Sequence, residues 1–137
     1  MAHWDTHEVS AKAAIYNETA TKVLVMIYAK GRSYGLPGGH LDAGETPVQA
    51  MQRELVEELG TQIDFKLMPK EFFTRDDQEK PGRLILGYVG YAREDTKFIF
   101  ESIDNDEYAV WMDRSELEST PIAPGYRALV ERHWPQI

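Results

Sequence analysis

Glu54, Glu57 and Glu58 stand at i, i+3 and i+4 of one segment. On an α-helix, at about 100° per residue, they share an arc of roughly 100° and so lie on one face. Carboxylates packed this way repel, by roughly a few tenths of a kcal/mol per exposed pair. They also fall towards the C-terminal half of the helix, where its dipole disfavours anions. Local stability argues against the arrangement, so something positive must compensate. Arg53 is one partner. A hard divalent cation is another, since Mg²⁺ takes oxygen ligands, keeps several waters and bridges carboxylates to phosphate groups. A glutamate-rich helix face is most often only a solvated surface. The segment in front shifts that balance, because Gly38, Gly39 and Gly44 flank Glu45 just before the helix. Such a loop can bring backbone carbonyls and the Glu45 carboxylate close to the same face.

The elements that must hold these residues follow from the pattern around them. Residues 46–60 read as a helix. Thr46 is placed to cap it, Pro47 suits its first position, Gln49 completes a capping box and Gly60 stops it. Val48, Met51, Leu55 and Leu59 recur at helical spacing, giving one apolar stripe beside the carboxylate arc. Residues 9–16 and 22–29 are rich in Val, Ile, Ala and Tyr and are separated by Asn17-Glu18-Thr19-Ala20, which fits a hairpin. Residues 31–44 hold five glycines and one proline and read as a loop. Strands are expected over 62–67, 71–75, 83–93, 97–100 and 108–112, with a charged turn over 76–82. A short helix begins at Asp113 or Ser115. A last helix covers 124–134, with Tyr126, Leu129, Val130 and His133 facing inward. This order is an α+β layout rather than strict βαβ alternation.

With 137 residues and 42% apolar composition, one domain over residues 1–137 is expected, and disorder is excluded. The longest clean apolar run, residues 23–29, is far short of the roughly 20 residues that span a membrane, so no membrane partner is expected. A net charge of −8 argues against a nucleic-acid polymer as partner. Cysteine is absent, which excludes disulfides, thiolate metal sites and a cysteine nucleophile. The opening MAHWDTHEVS has neither the basic nor the apolar region of a secretory leader, so a cytoplasmic location is expected. A homodimer is compatible with this composition.

Residues 39–61 resemble the Nudix box, GX5EX7REUXEEXGU, in which U is a bulky aliphatic residue. Gly39 is followed by five residues and then Glu45. Seven more lead to Arg53-Glu54-Leu55-Val56-Glu57-Glu58-Leu59-Gly60. The one departure is Thr61, in place of the last aliphatic residue, at a position that packs the end of the helix. Leu36-Pro37-Gly38-Gly39 also resembles the family's entry into the box. The box covers 23 of the 137 residues.

The resemblance implies an α/β/α sandwich with a mixed β-sheet. It implies hydrolysis of a diphosphate linkage in a nucleoside diphosphate derivative or nucleoside triphosphate, with Mg²⁺ or Mn²⁺ as cofactor. Metal ions suit this chemistry because charge spreads over the phosphoryl oxygens as water attacks. By resemblance Glu54, Glu57 and Glu58 hold the metal, with the Gly39 carbonyl as a further ligand. Arg53 pairs with Glu45 and keeps the cluster in register. The general base is Glu54 or Glu57, or an acid of a later loop. For that distal acid Glu107 is preferred, with Glu101 next and Asp104 and Asp106 nearby.

Contacts to a small diphosphate or nucleotide substrate are expected from Lys30 and Arg32 beside the glycine-rich loop, from His40 after its two glycines, and from Arg75 and Arg83 flanking the charged turn, since such cations suit phosphate. Lys80, in the same charged turn, is another candidate. Tyr34, Phe72, Phe73, Tyr88 and Trp111 could stack on a base, although aromatic residues in strands are more often core. Other readings are a non-nucleoside diphosphate substrate and a Nudix-fold protein that binds a nucleotide without cutting it. The second is disfavoured because Glu45, Glu54, Glu57 and Glu58 are all present. No subfamily mark selects the substrate. Nine of the 23 acids lie in the box and the distal loop; without them the chain's remaining 14 acids stand against its 15 bases. The negative charge is thus local, and a bound cation would reverse its sign where it matters.

Overall fold

A computed structural model describes residues 6–28, 33–60, 67–75, 82–98 and 107–136. The strands are β1 (His7–Tyr16), β2 (Val23–Tyr28), β3 (Ser33–Gly35), β4 (Gly38–His40), β5 (Met68–Arg75), β6 (Gly82–Tyr91) and β7 (Tyr108–Met112). The helices are α1 (Pro47–Leu59), α2 (Arg114–Glu118) and α3 (Pro124–Arg132). The sheet runs β3-β2-β1-β6-β5, with β4 added to β1 and β7 to β2. It is mixed: β1 runs parallel to β6 along its whole length, and the other pairings are antiparallel.

Alternation along β1 sorts the two faces, because successive side chains of a strand point to opposite sides. Ala11, Ala13 and Ile15 pack with Leu24, Met26 and the α1 residues Met51, Leu55 and Leu59. Ala14 and Tyr16 pack on the other face with Leu129, Val130 and Trp134. Helices thus cover both sides of one sheet, which is the expected α/β/α layering. Burial of each large α1 side chain contributes about 1.5–3 kcal/mol to docking this helix.

Local signals place α1 as expected. Thr46 accepts from the Gln49 N–H and Gln49 returns a bond to Thr46, and Gly60 closes the helix at φ 70°. One detail of the stripe differs. Val48 is 43% exposed, and Ala50 is buried in the docked face instead. Asp113, not Ser115, caps α2.

Other boundaries move. The glycine-rich stretch carries β3 and β4, three-residue strands too short to show a period. Gly38 and Gly39 form β4 because their backbones pair with Lys12 and Ala11 of β1. A Cβ on Gly38 would sit 2.0 Å from the Ala11 carbonyl oxygen, and its φ of 130° suits only glycine. The expected β1–β2 hairpin pairs at Tyr16 and Val23. Beyond that, β2 bonds to β7 and β3 while β1 bonds to β4 and β6. The fifth strand begins earlier than expected, at Met68, and tolerates Pro69 through an irregularity next to Glu71. Leu67, Lys97 and Phe98 carry no strand. Residues 62–66, 76–81 and 99–100, where other elements were expected, lie outside the described residues.

His133 ends α3 as its C-terminal cap and turns to Glu71 rather than into the core. Glu71 accepts from His133 Nε2 at 2.9 Å and from Arg132, tying α3 to β5. Burial pushes the Glu71 carboxyl up, but the bonds from His133 and Arg132 outweigh it and hold it below the usual carboxylate range. Such a group stabilises the fold above its unfolded value, and the gain is lost as pH falls through the depressed folded value. Glu71→Gln is therefore expected to lower the melting temperature at pH 7, and the difference should close as pH falls below about 4. Because Arg132 is 59% exposed, screening holds the effect to about 1 kcal/mol or less. Thermal melts of both proteins across pH check this.

Candidate active site

The acidic helix face and the glycine turn meet where β4 pairs with β1. Glu54, Glu58, Glu107, Gly39, His40 and Arg83 line a common cavity of about 380 Å³. Four elements carry these residues: α1 supplies two carboxylates, β4 the Gly39 backbone and His40, β6 Arg83, and the entry to β7 Glu107. Glu57 is absent from this lining and is 58% exposed on the outer side of the helix.

Arg53 organises the outer side. Its Nε and Nη2 donate to the two Glu45 oxygens at 2.8 and 2.9 Å, a bidentate pair. Its Nη1 donates to Glu54 at 3.0 Å and to Glu57 at 3.2 Å, and Nη2 also reaches the His40 carbonyl at 2.9 Å. The expected pairing of Arg53 with Glu45 is thus present, and one guanidinium spans three of the four box glutamates. The Arg53 bonds, with a further one from the Asp42 N–H, hold the Glu45 carboxyl below the usual range.

The inner side is tighter. A Cβ on Gly39 would lie 2.5 Å from the Glu54 carboxylate, so only glycine lets that side chain rest on the β4 backbone. Glu58 accepts from the Gly38 N–H at 2.9 Å and, at longer range, from the Tyr28 hydroxyl at 3.3 Å. Burial is the main reason its carboxyl is pushed up to about 8. The Lys12 charge and the Gly38 N–H pull it down, and the charges of Glu54 and Glu107 push it up further. Burial and the charges of Glu58 and Glu107 also raise the Tyr28 hydroxyl above its ordinary range.

This inner set fits a hard divalent cation by its chemistry. It is built of oxygen donors, it concentrates carboxylates in partial burial, and a carboxylate rests directly on a glycine backbone. Among the described residues no three acidic or histidine side chains are gathered around one point. Arg53 holds oxygens of Glu45, Glu54 and Glu57 towards itself.

The expected substrate contacts divide. His40 and Arg83 line the cavity, and His40 Nε2 stands 3.1 Å from a Glu8 oxygen. Arg75 pairs with Arg83 in the β5–β6 ladder, but its side chain is outside the described residues, as are Lys30, Arg32, Lys80, Glu101, Asp104 and Asp106. Among the aromatic candidates Tyr34 lines the cavity. Phe73 packs edge-on against Tyr126, Tyr88 is buried, and Trp111 lies 6.4 Å from Phe98. Phe72 is exposed on β5, away from this cavity. Sequence reasoning missed Lys12, Tyr28 and Tyr126, which also line it. Lys12 carried a usable signal: it is the one charged residue within the otherwise apolar run AKAAIY.

The family model described as NUDIX domain matches residues 6–133, and the chain belongs to the Nudix family. It is a Nudix pyrophosphohydrolase. An 8-oxo-dGTP diphosphatase from Haemophilus influenzae is 30% identical over 102 residues, covering 74% of this chain and 70% of that protein. Among solved structures, the E. coli dihydroneopterin triphosphate pyrophosphohydrolase superposes with a TM-score of 0.77 at 16% identity, over 94% of this chain and 97% of that one. The NUDIX domain of Shewanella oneidensis NrtR, complexed with ADP ribose, gives a TM-score of 0.75 at 16% identity, over 94% and 87%. These two likenesses establish the fold. Among the described residues no helix is long and apolar enough to cross a membrane.

Proposed function

We propose that the protein hydrolyses a phosphoanhydride bond in a nucleoside triphosphate or nucleoside diphosphate derivative, with Mg²⁺ or Mn²⁺ held by Glu54, Glu57, Glu58, Glu107 and the Gly39 carbonyl. The observation that carries this reading is that Glu54, Glu58, Glu107, Gly39 and Arg83 line one cavity. The similarity to an 8-oxo-dGTP diphosphatase supports a nucleoside triphosphate as the first substrate to try.

In this reading Arg83 and His40 draw the phosphate chain into the cavity, and Lys30, Arg32 and Arg75 are further candidates for phosphate contact. Tyr34 offers a face for the base. When bound, the divalent ion neutralises charge on the phosphoryl oxygens and orients water. The water oxygen bonds to phosphorus as the bridging P–O bond breaks, and the bridging oxygen departs with the leaving phosphate. The proton released by water passes to Glu54 or Glu57. Arg53, locked to Glu45, keeps both carboxylates in place.

A panel of nucleoside triphosphates, nucleoside diphosphate derivatives and non-nucleoside diphosphates, incubated with Mg²⁺, tests this by release of phosphate and pyrophosphate. Turnover of at least one nucleotide is expected. Tight nucleotide binding without turnover of any member would overturn the reading. A second outcome follows from the 2.5 Å clearance at Gly39. Gly39→Ala must push the Glu54 carboxylate aside. Since a displacement of about 1 Å can cost on the order of 10²-fold, kcat should drop by about that factor while the protein still melts cooperatively.

A further inference from the structure

Three consecutive carbonyls, two from the β3–β4 turn and one from the first residue of β4, bond back to β1. The middle one, of Pro37, accepts from the Ala13 N–H at 2.9 Å. The outer two, of Leu36 and Gly38, accept from Lys12 Nζ at 3.3 and 2.9 Å. Lys12 is also the β1 register partner of Gly38. The N–H of Gly38 points the other way and donates to Glu58 at 2.9 Å. Gly38 is thus held between an ammonium on its carbonyl and a carboxylate on its N–H. The next residue, Gly39, supports the Glu54 carboxylate.

We infer that Lys12 is a positioning residue for the hydrolysis: by clamping the Leu36 and Gly38 carbonyls it fixes the Gly38–Gly39 backbone against Glu58 and Glu54. No side chain at Gly38 could take over this task, because the Ala11 carbonyl fills the space where a Cβ would stand. Without the ammonium, the Leu36 and Gly38 carbonyls lose the Lys12 donor, and the turn, left to the Pro37–Ala13 bond and the β1–β4 ladder, can shift. Any such shift moves the Gly38 N–H that holds Glu58 and the Gly39 backbone that carries Glu54. Lys12 acts through the turn and needs no contact with substrate. The inference rests on the reading of Gly39, Glu54 and Glu58 as metal ligands.

The test compares wild type, Lys12→Met, which keeps the stem but not the charge, and Lys12→Arg, which restores donors. Mg²⁺ binding is measured by calorimetry on proteins shown to be folded by their melting curves, and kinetics are run on whichever panel member the wild type cleaves. Residues that orient metal ligands typically contribute about 10–100-fold in metal affinity. Lys12→Met is expected to weaken Mg²⁺ binding at least about tenfold and to lower kcat by a similar factor, with KM little changed. Lys12→Arg should recover most of both. Unchanged Mg²⁺ affinity in folded Lys12→Met would overturn the inference, whether KM rises, as for a direct substrate contact, or only the melting temperature falls. Failure of the wild type to cleave any panel member defeats the proposed function instead, and leaves the Mg²⁺ comparison to decide on Lys12.

Discussion

Glu57→Gln is expected to lower kcat by roughly 10²–10³-fold with little change in melting temperature. The carboxylate is proposed both as a metal ligand and as a candidate base. A group that helps stabilise several kcal/mol of transition-state charge is worth about two to three decades in rate. The substitution is isosteric and its side chain is 58% exposed, so the fold loses little beyond one bond from Arg53 at 3.2 Å. Surface changes of this kind usually stay within about 0.5 kcal/mol. Loss of activity at unchanged stability would locate the defect in the chemistry. Steady-state kinetics beside a thermal melt measure both, and a loss smaller than about threefold would remove Glu57 from the machinery.

Arg53→Ala should reduce activity by about 10²-fold and lower the melting temperature as well. Its guanidinium donates to Glu45, Glu54, Glu57 and the His40 carbonyl. Removing it leaves like charges facing one another without their shared counter-ion and frees the turn at His40. Misplacement of catalytic carboxylates by about 1 Å is enough for a two-decade loss. Arg53→Lys should recover little of it, because one ammonium cannot reproduce a planar fork with bidentate and lateral contacts. Full activity in Arg53→Lys would show that charge alone suffices and that the fork is dispensable.

The parts of the molecule legible in the sequence were those set by local physics. The α1 helix could be placed because its cap, its Pro47 start and its Gly60 stop are encoded within a few residues of each end. The pairing of Arg53 with Glu45 could be expected from the resemblance, since the motif carries both residues at a fixed spacing. What escaped was what tertiary pairing decides. Strand β4 is two glycines and a histidine, with no period or propensity of its own, and exists because β1 offers it a backbone ladder. Val48 fits the apolar stripe by spacing, yet it lies on the first turn beyond the reach of the sheet, and Ala50 takes the closer place. Lys12 and Tyr28 join the site because β1 and β2 pass beneath the glycine turn, a juxtaposition of residues 10 to 30 positions from the box. The split among the glutamates was equally invisible. Helical spacing puts Glu54, Glu57 and Glu58 on one arc, but only docking shows Glu58 turned inward to Gly38 while Glu57 stays outside with Arg53.

The site is therefore best questioned through the metal itself. Mg²⁺ titrated by calorimetry into the wild type and into Glu54→Gln/Glu58→Gln, both confirmed as folded, addresses the inner carboxylates directly. A binding heat in the wild type that is lost in the double variant is expected. Equal Mg²⁺ affinity in the two proteins would contradict a metal site on this helix face.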